Sequence, residues 1–173
     1  KEELLRAIKE LGFEQLTPIQ EKAIPVLKKG DSDFIGLAQT GTGKTAAFGI
    51  PLAELVNINS KNIEALILAP TRELCMQIVN DIGNYCRYLK QIKIAAIYGG
   101  ASIETQINKI KKGVHIVVAT PGRLNDLIRR KKINISNIKY VLLDEADEML
   151  NMGFQEDIDA ILDLAPKEKH TWL

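Results

Sequence analysis

Eight consecutive residues, Ala38-Gln39-Thr40-Gly41-Thr42-Gly43-Lys44-Thr45, have the composition of a phosphate grip. Small residues let the backbone wrap an anion, and the first N–H groups of a helix have no partner inside it. Lys44 would reach the β- and γ-phosphates of a nucleotide, and the Thr45 hydroxyl would ligate Mg²⁺. The apolar run Phe34 to Leu37 ahead of the loop is of strand length, and a helical pattern opens at Lys44 behind it. Strand, glycine turn and helix N-terminus thus follow in the order that this chemistry requires. Ala38 stands where the usual pattern has Gly. The run from Gln39 to Ala46 reads as a nucleotide phosphate site.

A second set of residues supplies what phosphoryl transfer needs besides a cradle: a metal to neutralise charge and a group to position the nucleophile. Val141-Leu142-Leu143-Asp144 is an apolar strand ending in a carboxylate. Asp144 would hold the Mg²⁺ shell, partly through water. Glu145 beside it would orient or deprotonate the attacking water. Asp147 is too far along to bind the same metal and would brace a neighbouring element. An acidic first turn that merely favours the helix dipole is the plain alternative. The phosphate loop earlier in the chain weighs against it.

The elements that must position these groups alternate. Residues 65–69, 94–98, 115–119 and 140–143 are short apolar strands. Helical patterns occupy residues 2–11, closed by Gly12, and residues 18–28, with Thr17 as N-cap and Gln20 completing a capping box. A further helix runs from Lys44 to about Val56, kinked or restarted at Pro51. Others follow Pro70-Thr71-Arg72-Glu73-Leu74 to about Leu89, span residues 103–112, lie behind Thr120-Pro121-Gly122-Arg123, and cover Phe154 to Leu164. Thr171-Trp172-Leu173 starts another strand. The strands are continuous apolar runs, which implies burial on both faces. The expected fold is therefore α/β, a mostly parallel central sheet with helices on both faces. In such a sheet ligands bind at the carboxyl ends of the strands. The phosphate loop, Pro70 to Leu74, Gly99-Gly100, Thr120 to Arg123 and Asp144 to Asp147 all fall on that rim.

Composition narrows the class. The 173 residues fit one domain, and 46% hydrophobic content is ordinary for a folded core. No apolar run approaches the ~18 residues of a membrane span, and no targeting segment is visible, so an intracellular, cytoplasmic protein is expected. The net charge of +1 does not announce a nucleic-acid binder. The basic clusters Lys109 to Lys112 and Arg129 to Lys132 read as solvated helix faces. Cys75 and Cys86 fall on one helical pattern about 16 Å apart, beyond disulfide reach.

In this order, and over almost the whole chain, these segments resemble the first RecA-like domain of a DEAD-box RNA helicase: AQTGTGKT, PTREL, the Gly pair, TPGR and DEAD. The segment GFEQLTPIQ, residues 12–20, is similar to that family's adenine-sensing segment, with Leu16 where Pro is more usual. The resemblance implies a RecA-like P-loop NTPase domain that uses ATP and Mg²⁺. It implies that Gln20 reads the adenine edge, that Phe13 stacks on the base, and that Thr17 belongs to the same nucleotide-binding segment. It implies contacts to RNA phosphates and sugars from Pro70, Thr71, Arg72, Gly99, Gly100, Thr120, Pro121, Gly122 and Arg123, hence sequence-independent binding. For Arg72 a salt bridge with a neighbouring carboxylate, such as Glu73, is the structural alternative. Asp147 would couple nucleotide to RNA. The family's Ser-Ala-Thr segment is expected beyond Trp172, and the second RecA-like domain, a partner with arginine fingers, lies outside these residues. The implied activity is local, ATP-dependent RNA unwinding. A DNA translocase of the same superfamily and a nucleotide-gated RNA clamp are the rival readings.

Overall fold

The four apolar runs become strands β1 (Ala65–Leu68), β2 (Ile94–Ile97), β3 (Ile116–Ala119) and β4 (Tyr140–Leu143) in a computed structural model that describes residues 1–39 and 41–173. With β5 (His170–Trp172) they form a sheet in the order β2-β3-β1-β4-β5. Every pairing is parallel, and β1 sits between β3 and β4 with Ala65 opposite Ile116 and Tyr140. Parallel neighbours need long crossovers. The helices α4 (Arg72–Tyr85), α5 (Ile103–Lys111), α6 (Pro121–Arg129), α7 (Ala146–Asn151) and α8 (Gln155–Leu164) provide them, and α1 (Glu2–Glu10), α2 (Pro18–Leu27) and α3 (Lys44–Leu55) precede the sheet.

Side chains alternate across a strand, so the strands β1, β3 and β4 feed two cores. Ala65 and Ile67 of β1 face Leu52, Ile78 and Ile82 of the helices α3 and α4, a core that also takes in Leu4, Ala23 and Leu27 of α1 and α2. Leu66 and Leu68 face the other way, toward Leu124, Leu127, Met149, Ile158 and Ile161 of α6 to α8. All four residues of β1, β3 and β4 are buried. Cys75 and Cys86 are free thiols within the first core. Burial pushes Cys75 up to about 12 and Cys86 up to about 11, which keeps both protonated and inert.

The amino-terminal edge of the sheet is tied by buried polar groups. Glu64 accepts from the Asn57 N–H at 2.8 Å and from Lys139 Nζ at 3.1 Å. His115 Nδ1 accepts from the Lys93 N–H at 3.0 Å while Nε2 lies 3.1 Å from the Ser60 carbonyl, which sets Nε2 as the protonated nitrogen. These bonds leave the opposite edge open for chemistry.

Three expectations need correction. Phe34 to Leu37 is not a full strand: Phe34 forms a single parallel bridge with Trp172, flanked by a 2.7 Å bond from the Gly36 N–H to the Leu173 carbonyl. Its ladder partner β5 contributes three residues, so pairing stops there, and Ile35 and Leu37 are exposed. The helix after Arg72 ends at Tyr85 instead of Leu89, because Leu89 N–H turns back to the Cys86 carbonyl at 2.8 Å. Of the two outcomes expected at Pro51, the restart does not occur: α3 runs through Pro51, as α2 runs through Pro25. Among the described residues no helix is long and apolar enough to cross a membrane.

Candidate nucleotide and nucleic-acid site

Two left-handed glycines shape the phosphate loop, with φ of 79° at Gly41 and 88° at Gly43. Gly43 caps α3, and the first helical bond runs from the Ala47 N–H to its carbonyl at 3.2 Å. The N–H groups of Lys44, Thr45 and Ala46 therefore have no partner within the helix. The Thr42 hydroxyl donates to the Gln39 carbonyl at 2.7 Å and closes the turn. Thr40, expected in this loop, lies outside the described residues.

Gln20 holds the loop from below. Its side chain is 1% exposed. Oε1 accepts from the Thr17 N–H at 3.0 Å, the capping-box bond that the sequence predicts, and Nε2 donates to the Gly43 carbonyl at 3.1 Å, a bond that spacing could not show. The reciprocal half of the box is in place, but Thr17 Oγ1 falls short of hydrogen-bond geometry and is buried without a partner. A β-carbon at Gly43 would collide with Gln20 Nε2 and stand 3.2 Å from Thr17 Oγ1. Only glycine lets the loop lie against this segment. Phe13 is half-buried, its ring edge-on to Tyr85 with centroids 6.1 Å apart.

Asp144 leaves the end of β4 nearly buried, at 8% exposure, with Oδ1 3.9 Å from Lys44 Nζ. Burial pushes its carboxyl above the ordinary range. Lys44 opposes that shift, and the neighbouring Glu145 adds to it. Glu145 is half-buried and adopts a left-handed backbone, φ 54° and ψ 50°, at the cap of α7. For a non-glycine residue that conformation costs about 1–2 kcal/mol, and such strain collects at functional sites. Asp147, exposed in the first turn of α7, shares a cavity of about 450 Å³ with Phe34, Gln39, Lys44, Asp144 and Glu145. The structure thus brings the two carboxylates of the sequence reading beside the loop lysine.

These residues fit a nucleotide and its metal. The loop offers unpaired N–H groups, and the buried Thr17 Oγ1 has a free lone pair. Asp144 is a buried carboxylate only weakly compensated by Lys44, the situation that a cation relieves. Among the described residues no group of three His, Cys, Asp or Glu could cage a metal.

The residues expected to meet RNA line the same rim. Thr71 caps α4, its hydroxyl accepting from the Leu74 N–H at 3.2 Å, and Pro70 is buried behind it. The Arg72 guanidinium lies over the Tyr98 ring, 5.2 Å from its centroid, and not against Glu73. Gly99 and Gly100 follow β2 in an exposed turn, Gly100 at φ 75°. Thr120 caps α6 with Pro121 in its first turn, and Gly122 and Arg123 are half-buried. Arg123 Nη1 donates to the Ala101 carbonyl at 3.2 Å and to Gln106 Oε1 at 3.4 Å. Gln106, 6% exposed, also donates from Nε2 to the Tyr98 carbonyl at 2.9 Å. Sequence reasoning passed over it. The available signal was its place beside the apolar stripe of Ile103, Ile107 and Ile110.

Comparison with known proteins agrees with this geometry. A family model described as DEAD/DEAH box helicase matches residues 17–173. The DEAD-box ATP-dependent RNA helicase CshA of Geobacillus kaustophilus is 50% identical over 172 residues, 99% of this chain and 36% of that protein. The protein of the same name from Bacillus subtilis is 51% identical over 171 residues, 99% of this chain and 34% of its own length. The chain thus spans about a third of the length of the curated relatives it matches. A DEAD box protein from the hyperthermophile Methanococcus jannaschii superposes with a TM-score of 0.93 at 47% identity, covering all of this chain and 47% of the other. A hypothetical ATP-dependent RNA helicase from Sulfolobus tokodaii does so at 0.90 and 41% identity, over all of this chain and 50% of that one. The fold is RecA-like, and the chain belongs to the DEAD/DEAH box helicase family.

Proposed function

We propose that this chain is the ATP-binding domain of an ATP-dependent RNA helicase that locally unwinds or remodels RNA in the cytoplasm, working with a second RecA-like domain. The observation that supports this best is the meeting, at one strand edge, of the phosphate loop, a buried carboxylate 3.9 Å from its lysine, and the Thr71, Gly100 and Arg123 segments. Its relatives' names add ATP dependence and RNA.

Lys44 and the loop N–H groups bind the phosphates. Thr45 and Asp144 would hold Mg²⁺, which supplies charge neutralisation on the phosphoryl oxygens when bound. Glu145 takes a proton from, or aligns, the attacking water. Gln20 retains one N–H and one lone pair beyond its bonds to Gly43 and Thr17, enough to read an adenine edge, and Phe13 flanks the base. Arg72, Thr120 and Arg123, with the helix N-termini of α4 and α6, contact phosphates without base information. Asp147 couples the two regions.

Titration calorimetry with Mg²⁺ and ADP, beside retention of a labelled oligouridylate, tests the reading. Lys44→Ala is expected to lose nucleotide affinity and Glu145→Gln to keep it, since only Lys44 meets ground-state phosphates. The chain alone should hydrolyse ATP barely above background, because an arginine finger supplies ~10³–10⁵ in rate in related chemistry. RNA-stimulated turnover by these residues alone would contradict the division of labour.

A further inference from the structure

Two of the segments assigned above to RNA are joined by one side chain that none of the motifs contains, and a third, at Arg72, meets them through the Tyr98 ring. Gln106 sits on the inward side of α5, nearly sealed from solvent at 6% exposure. Its Nε2 donates at 2.9 Å to the carbonyl of Tyr98, the residue that opens the Gly99-Gly100 turn and whose ring lies beneath the Arg72 guanidinium. Its Oε1 accepts from Arg123 Nη1 at 3.4 Å, and the same Nη1 reaches the Ala101 carbonyl on the far side of the glycine pair at 3.2 Å. Helix α5 opens directly after that turn, with Ser102 as its cap.

The arrangement has a physical logic. Arg123 spends one nitrogen on two neutral acceptors, and neither is a carboxylate. Its charge therefore remains available to an anion, while its position is fixed. A long, rotamer-rich side chain loses conformational freedom on ordering. A guanidinium already held by Gln106 and Ala101 loses less when a phosphate arrives. At the other end of the amide, the half-buried Tyr98 carbonyl gains a partner.

We infer that Gln106 is a positioning residue for RNA: its buried amide fixes Arg123 and the Gly99-Gly100 turn in one geometry before the phosphate backbone binds. The inference rests on the RNA reading of the preceding section.

A double-mutant cycle with Arg123 tests it, read as retention of labelled oligouridylate by the chain, with ADP affinity and thermal midpoint as controls. Gln106→Met keeps volume and removes both hydrogen bonds. It should weaken RNA binding about fivefold, the value of roughly one hydrogen bond, and by less than about twofold once Arg123→Ala is present. ADP affinity should not change. Gln106→Glu preserves shape and covers the case in which the Met variant does not fold. Its carboxylate competes with phosphate for Arg123, so it too should weaken RNA binding only while Arg123 is present. Equal losses in both backgrounds, or none in either, overturn the positioning role and leave the RNA reading standing. Wild-type chain that retains no RNA, or an Arg123→Ala variant that binds like wild type, overturns the RNA reading and the inference with it.

Discussion

Lys44 Nζ and Asp144 Oδ1 face each other across the phosphate loop at 3.9 Å, the outer edge of ion-pair contact. The distance leaves a buried carboxylate whose charge is only partly answered, and burial raises its proton affinity despite Lys44.

The sign of the resulting pH dependence follows from linkage. A carboxyl raised on folding binds more protons in the folded state between its unfolded and folded values, so stability is lost as pH rises through that window. Asp144→Asn should therefore stabilise the nucleotide-free chain at pH 8, raising the thermal midpoint by about 2–4 °C, the shift that ~1 kcal/mol gives at this size. The gain should shrink as pH is lowered and Asp144 takes up its own proton. In the same variant the Mg²⁺-dependent part of ADP affinity should vanish. A midpoint gain independent of pH would assign the effect to something other than the buried charge.

Gln20 is expected to serve loop and base separately. Gln20→Ala removes the bond to the Gly43 carbonyl at 3.1 Å and the bond from the Thr17 N–H at 3.0 Å, at a cost of about 1–3 kcal/mol in stability. Affinity for ADP and GDP should both fall, since the loop they share loses its anchor, and ADP should fall further. The common loss measures anchoring and the difference measures base reading. If GDP binding is untouched, the anchor is idle; if the two fall equally, Gln20 does not read the base.

The two loop glycines should differ in their response to alanine. At Gly41 a β-carbon would meet nothing within 4 Å, so Gly41→Ala pays only for its left-handed φ of 79°, about 1 kcal/mol. At Gly43 the same methyl strikes Gln20 and crowds Thr17. Gly43→Ala should lose several times as much stability and most of its nucleotide affinity, as chemical denaturation and calorimetry will report. Equal responses would mean that the Gln20 segment yields freely.

At Glu145, glycine should be more stable than alanine by about 1 kcal/mol, because only the left-handed backbone distinguishes them there. Thermal unfolding of Glu145→Gly and Glu145→Ala measures this directly. Should alanine prove the more stable, Glu145 holds no strain.

Much of this site was legible before any coordinates. Lys44, Asp144 and the glycines stand out by type and local order, because the proposed phosphate loop is built from consecutive residues and the proposed metal carboxylate ends one strand. Continuous apolar strands gave parallel pairing for the same reason: burial on two faces leaves a compositional mark. The bonds from Gln20 to Gly43 and from Gln106 to Arg123 cross 23 and 17 residues. No periodicity encodes such a meeting: in the sequence Gln20 reads as a capping-box residue with no link to Gly43, and Gln106 as one more helix residue. Glu145 was legible as chemistry but not as geometry, since nothing in Asp-Glu-Ala-Asp marks a left-handed φ on a glutamate. Phe34 to Leu37 misled because strand length depends on the partner, and β5 is short.

The division of β1, β3 and β4 between two cores restricts how the chain can change in length. Ala65 and Ile67 belong to one core, Leu66 and Leu68 to the other. A single inserted or deleted residue within β1 would present each following side chain to the wrong helices, and the central strand has no solvent face on which to absorb the error. Insertions and deletions are therefore expected to be tolerated in polar connections such as Asn57 to Asn62, where the side chains are at least partly exposed. The rim segments that continue β1, β3 and β4 inherit this rigidity, since each follows a strand whose frame cannot slip.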